Sequence, residues 1–281
     1  MLFVILQILF LSSFGLIIKH YQASGRNLLA VGSVNYAVAA VATAISIAYK
    51  SKFDFSNTTC IIGIMAGIAY FISYFFMITA VKSSGISITW SAVRLSVLLP
   101  ILFSIFYWNE KPSIYQVVGI GFVCLSLPLL SIRPDADVGR RMFGRASLII
   151  VALFFAAGGT NLTAKAFSEF SPETHQQTYL LFLFGTAAVV CFLASLVKGS
   201  PPKASDIPFG IALGLCNLCA AYFLLRALAR LPGVIVFPIT GSMGIVLTTI
   251  GGVGIWHEKL RKLTMAGIAA AVIAVVLINV G

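Results

Sequence analysis

The chain has 281 residues, 59% of them hydrophobic and 10% charged, with 19 Lys and Arg against 8 Asp and Glu, and a mean hydropathy of +1.02. Soluble domains carry roughly 25% charged residues, so the composition excludes an ordinary cytosolic enzyme, a disordered chain and a disulfide-stapled secreted scaffold. The formal net charge of +11 is scattered in ones and twos between apolar runs, which argues against a nucleic-acid partner and reads as membrane topology signals.

A helix needs about 20 apolar residues to cross a bilayer. Ten such segments can be cut from the sequence, at 1–18, 28–49, 59–81, 86–107, 113–132, 143–164, 177–197, 207–227, 233–255 and 263–280. The first lacks a basic leader and a small-x-small cleavage site before a soluble domain, so it is expected as a retained helix. The third carries Tyr70, Ser73 and Tyr74, and the fourth carries Trp90, Arg94 and Pro100. The longest polar stretch, Arg133 to Arg141, is expected as a linker at 134–142. The sixth ends in Asn161, Thr163 and Lys165, the eighth holds Asn217 and Tyr222, and the ninth is rich in glycine. All five cysteines fall in apolar runs and read as small packing residues; Cys216-Asn-Leu-Cys219 has no second pair or His nearby to make it a zinc site.

The two halves repeat. At a shift of 148 residues Tyr74-Phe75 meets Tyr222-Phe223, and Trp108-Asn-Glu-Lys111 meets Trp256-His-Glu-Lys259; at 146, Leu16 meets Leu162 and Lys19 meets Lys165. Five helices per half is an odd number, so the second half is expected to enter the membrane inverted. The expected fold is an all-α polytopic membrane protein of ten transmembrane helices in two inverted five-helix repeats, 1–133 and 143–281. Such repeats support alternating access at a site near the midplane.

Ser91-x-x-x-Leu95-x-x-x-x-Pro100, Glu110, Gln116-x-x-Gly119 and the pair Phe14-Gly15 together resemble the drug/metabolite transporter superfamily, in its EamA-type branch. The second half departs from the first, with Thr248 opposite Pro100 and Thr160-Asn161 opposite Phe14-Gly15. The resemblance implies secondary transport of small metabolites, amino acids or drugs, often outward, with both termini in the cytoplasm. Charge counting points the other way: twelve Lys and Arg lie on the side of the loop after the first segment and six on the side of the termini, which by the positive-inside rule places the termini outside.

The nineteenth basic residue is Arg94, about a third of the way into the fourth segment. An Arg near a helix centre costs about 2.5–3.5 kcal/mol on insertion scales. No Asp or Glu falls within the ten segments as cut, so no ion pair is expected at depth. Ser87, Trp90, Ser91 and Arg94 share a stripe, and Pro100 denies a hydrogen bond to the Ser96 carbonyl. Two roles fit Arg94: an anchor for an anion beside an aromatic wall, or a guanidinium that snorkels or bonds carbonyls to hold two helices together. Tyr74, Asn161, Asn217 and Tyr222 place hydroxyl and amide groups at membrane depth, where each needs a partner; a substrate cavity and bonding between helices both supply one. Glu110 and Glu258 are expected to complement the dipole of the helix that each precedes.

The expectation is a transporter, not an enzyme, with no cofactor and no metal. Its partners are a small-molecule substrate, slightly favoured to be anionic or zwitterionic, and the lipid bilayer, with protons as a coupling ion. It is expected in the bacterial inner membrane as a monomer or homodimer. The alternative is a lipid-linked flippase or scaffold subunit of an envelope pathway.

Overall fold

A computed structural model of the chain describes residues 1–23, 27–50, 54–84, 86–131, 145–256 and 262–280. The expected linker at 134–142 and the turn 257–259 lie outside these residues, as do the side chains of Ser87 and Ser91. Among the described residues the chain is all-helical, with no strand. The helices are α1 (Leu2–Ala23), α2 (Leu28–Lys50), α3 (Asn57–Ser84), α4 (Ile86–Leu95), α5 (Leu98–Phe106), α6 (Ile114–Ser131), α7 (Arg145–Phe170), α8 (Gln176–Val197), α9 (Ile207–Leu228), α10 (Gly233–Trp256) and α11 (Lys262–Val280).

In a hydrocarbon layer every backbone polar group must bond within its own segment, and a helix achieves this. Seven of the helical stretches are long and apolar enough to cross a membrane, and three shorter apolar ones, Ala92–Phe106, Ile114–Ser126 and Met265–Val280, accompany them. Their outward faces are as apolar as their inward ones. On α8, Leu180, Leu183, Phe184, Ala187 and Cys191 form a buried stripe at helical spacing, while Val189, Phe192, Leu193 and Leu196 are exposed. Water would penalise that back face and lipid does not.

Two compact units form. The first is Met1–Phe75 with Thr163–Arg230, and the second is Phe76–Leu162 with Leu231–Gly281. In the first, α2 packs on α8 and α9, and α1 packs on α9. Glycines set how closely these helices approach. A β-carbon on Gly67 would lie 2.5 Å from the Leu183 carbonyl oxygen and 2.7 Å from Thr186 Cβ, and one on Gly214 would lie 2.6 Å from the Asn35 carbonyl oxygen. Gly63 likewise meets Tyr179 and Phe182 of α8, and Gly210 meets Val34 of α2. At one end of the unit Asp206 accepts the Lys203 N–H at 2.9 Å and the Tyr21 hydroxyl at 2.8 Å, tying α1 to the start of α9.

In the second unit α6 packs on α11, and α10 on α5, α6 and α11. The fourth segment, expected as one helix over 86–107, is two. Pro100 has no N–H to offer the Ser96 carbonyl, which takes the Leu99 N–H at 3.1 Å instead; the Arg94 carbonyl takes the Val97 N–H at 3.3 Å. These tighter bonds end α4 at Leu95 and restart the helix as α5 at Leu98.

Glu110 also departs from expectation. Asn109 adopts a left-handed backbone, φ 53°, a conformation that Asn tolerates better than most residues. The reversal turns the Glu110 carboxylate onto the start of α10, where its two oxygens accept the Gly233 N–H at 2.9 Å and the Val234 N–H at 2.8 Å. It therefore caps a helix 123 residues away in sequence, and its charge meets the positive end of that helix dipole. Charged hydrogen bonds of this kind contribute about 1.5–3 kcal/mol. Glu110→Ala is expected to lower unfolding stability by about 2 kcal/mol and Glu110→Gln by about half of that. Thermal unfolding of the detergent-purified variants measures it, and an unchanged melting temperature for Glu110→Ala would refute the cap.

Candidate functional site

The break between α4 and α5 creates the most unusual chemistry in the described chain. Arg94 lies in the last turn of α4, where the negative end of the helix dipole favours a cation. Its guanidinium carbon stands 5.9 Å from the centre of the Trp90 ring, one turn back. Facing the break is the glycine-rich stretch of α10: a β-carbon on Gly241 would lie 3.0 Å from Val97 Cγ1, and one on Gly244 would lie 2.8 Å from Arg94 Nη1. The small residues thus let α10 pass close to the break and leave the guanidinium its place. Among the described residues no carboxylate and no hydrogen-bond acceptor meets the Arg94 guanidinium. A half-buried guanidinium that meets no acceptor among the described residues is suited to a carboxylate, which can accept from it through both oxygens.

Two other basic groups among the described residues are paired. Lys165 is 3% exposed and bonds Glu169 at 2.5 Å, one turn further along α7. This corrects the expectation that no carboxylate lies within the apolar segments: α7 runs to Phe170, past the expected end at 164, and takes Glu169 with it. Arg226 bonds Glu173 and the Tyr222 hydroxyl, the latter at 3.2 Å, and lies over the Tyr222 ring. Ser242, 148 residues after Arg94, is fully buried and gives its hydroxyl to the Pro238 carbonyl at 2.5 Å.

Six residues were singled out from the sequence. Arg94, Trp90 and Asn161 fall in the second unit, and Tyr74, Asn217 and Tyr222 in the first. Arg94 and Trp90 are brought together. Asn161 is half-buried and reaches the Ala157 carbonyl at 3.4 Å; it follows by three residues Gly158, which is pressed against Leu99 of α5. The Tyr74 hydroxyl gives its proton to the Leu28 carbonyl at 2.6 Å, beneath Gly32, with 5% of the residue exposed. That hydroxyl already fastens α3 to the start of α2. The Tyr222 oxygen is engaged by Arg226. Asn217 is half-buried and its amide nitrogen approaches Asn35 Oδ1 at 3.4 Å. Asn35, 1% exposed on α2, escaped sequence reasoning, because one Asn in an apolar run looks like any other until its neighbours are known. Gly244 escaped too, for its role depends on which side chain faces it.

The sequence model of the EamA-like transporter family matches residues 1–132 and 145–280. The chain belongs to the EamA-like transporter family. It is accordingly an integral, multi-pass membrane protein whose family transports small solutes and is not a family of enzymes. An uncharacterized protein of Haemophilus influenzae is 26% identical over 204 residues, which cover 72% of this chain and 69% of that one. A solved crystal structure matches 99% of this chain and 96% of its own at a TM-score of 0.76 and 17% identity, a likeness of fold alone.

Proposed function

We propose that the protein is a secondary transporter that exports a small anionic or zwitterionic organic solute across the bacterial inner membrane by alternating access. Arg94 receives the acid group, with Trp90 holding the guanidinium plane, and the polar groups of Asn161 and Asn217 meet other parts of the solute. Tyr74 and Tyr222 shape the path with their rings, their hydroxyls being occupied. The proton gradient is the coupling source, no cofactor takes part, and the monomer or homodimer is the working form.

The observation that carries this reading is Arg94 itself, a guanidinium at depth that has no anion among the described residues. The architecture proposed with it is ten transmembrane helices in two inverted repeats, 1–133 and 143–281. Two facts support it. The family model matches two consecutive segments. Gly63 and Gly67 press on α8 as Gly210 and Gly214 press on α2, and the two pairs are related by a shift of 147 residues.

The test is a thermal-shift screen of amino acids, organic acids, sugars and cationic drugs on detergent-purified protein and its Arg94→Gln variant. Acids or zwitterions should stabilise the wild type and leave Arg94→Gln unmoved. Stabilisation by cations or sugars alone, or equal shifts in both proteins, sinks the acid-group reading. Orientation is checked separately: a fluorescent protein fused to the C-terminus should be bright in the cytoplasm, against the positive-inside count, and a dark fusion there with an active alkaline phosphatase fusion at the same position would reverse the assignment.

A further inference from the structure

Asn35 carries a polar atom that the fold does not use. Its Oδ1 accepts the Asn217 amide at 3.4 Å. Its Nδ2 is buried and has no hydrogen-bond partner among the described residues, and the whole residue is 1% exposed. A buried donor left unpaired is costly, more so in an apolar interior than at a surface. The face of α9 opposite Asn35 explains why nothing there satisfies it. Gly210 and Gly214 pack against Val34, Asn35 and Val38 without side chains of their own, so Asn217 is the nearest polar side chain that α9 presents at that level. The backbones of α2 and α9 come close here, since a β-carbon on Gly214 would stand 2.6 Å from the Asn35 carbonyl oxygen.

We propose that Asn35 and Asn217 form a second recognition point, within the unit of Met1–Phe75 and Thr163–Arg230, that takes an uncharged acceptor oxygen of the solute, a hydroxyl or a carbonyl. This rests on the transport reading above. Asn217 is half-buried, so the amide pair runs from an accessible edge to the buried donor that a solute oxygen would satisfy. Neither amide ionises, so the pair selects by hydrogen bonding and not by charge. Sites built to bond an oxygen discriminate strongly against the analogue that lacks it, because the site's own polar group is then left unpaired.

The experiment uses matched solutes that differ by one oxygen: L-serine and L-alanine, L-threonine and L-valine, L-malate and succinate. Each is titrated by thermal shift against detergent-purified wild type, Asn35→Ala, Asn35→Leu and Arg94→Gln. The wild type should bind the oxygen-bearing member of at least one pair about tenfold tighter or more. Asn35→Ala should bind both members of that pair equally, at the affinity of the wild type for the oxygen-free one, with its ligand-free melting temperature unchanged or raised. If Asn35→Ala does not fold, Asn35→Leu, similar in volume and without either amide group, should lose the same discrimination. Three outcomes overturn the proposal: a wild type that favours no oxygen-bearing member, discrimination that survives in both variants, or a lowered ligand-free melting temperature with discrimination intact, as for a structural water between the amides. The acid-group reading fails separately, through affinities that Arg94→Gln leaves untouched while Asn35→Ala alters them.

Discussion

Arg94→Gln should reduce transport of acidic or zwitterionic solutes about a hundredfold or more in proteoliposomes. Truncating one partner of a buried, hydrogen-bonded charge pair costs about 2–5 kcal/mol, and each 1.4 kcal/mol is about tenfold in affinity. Arg94→Lys keeps the charge but gives up the planar fork and the contact with Trp90 5.9 Å away, so a loss of about tenfold is expected. The same variants separate the two roles considered for Arg94. A guanidinium kept for a ligand is a burden on the empty protein, and insertion scales put that burden at about 2.5–3.5 kcal/mol near a helix centre. Arg94→Gln should then melt at the same temperature as the wild type or higher. A guanidinium kept to brace the end of α4 against α10 would show the reverse, a lower melting temperature with transport reduced only in proportion to folded protein. Initial rates in liposomes and thermal unfolding in detergent, measured on the same preparations, decide between them.

Gly67→Ala and Gly214→Ala should be the most destabilising single-methyl changes in the chain. The atoms in the way are backbone carbonyl oxygens, of Leu183 at 2.5 Å and of Asn35 at 2.6 Å, and backbone cannot rotate aside as a side-chain tip can. Overpacking of this kind costs about 1–3 kcal/mol and occasionally more, and it falls at contacts of α3 with α8 and of α9 with α2. The matching controls are Gly159 and Gly185, whose added β-carbons would meet nothing within 4 Å. There alanine should be neutral or stabilising by up to about 1 kcal/mol, since it removes the backbone freedom of a helical glycine. Size-exclusion profiles and melting temperatures of the four variants test the contrast, and equal behaviour of all four would refute the packing argument.

Helix positions were legible because an apolar run has one way to satisfy its backbone in lipid. The segment read at 28–49 is α2, Leu28–Lys50, and that read at 233–255 is α10, Gly233–Trp256. The end of α7 was misplaced for a physical reason. Lys165 and Glu169 each look like a reason to leave the membrane, but four residues apart they cancel one another. Arg94 stood out from the scarcity of charge alone, and Pro100 announced a disturbance in its helix. The position of the break at Ser96–Val97 followed only from tracing which N–H each carbonyl accepts. Glu110 and Asn35 were opaque because their meaning is long-range: one caps a helix far along the chain, and the other faces glycines on α9. Tyr74 and Tyr222 match in sequence yet fasten to different things, a backbone carbonyl and an arginine.

The first compact unit joins Met1–Phe75 to Thr163–Arg230, which has a consequence for biosynthesis. Ribosomes add roughly 5–20 residues per second, so α2 waits on the order of ten seconds before α8 and α9, against which it packs, have been made. During that interval α1 and α2 sit in the lipid with their inner stripes and the Asn35 amide unsheltered. A fragment ending before α7 contains no complete unit, so the N-terminal half expressed alone should be cleared by quality-control proteases. Supplied on a separate messenger, the C-terminal half should rescue it, because the missing partner surfaces would arrive without needing the peptide link.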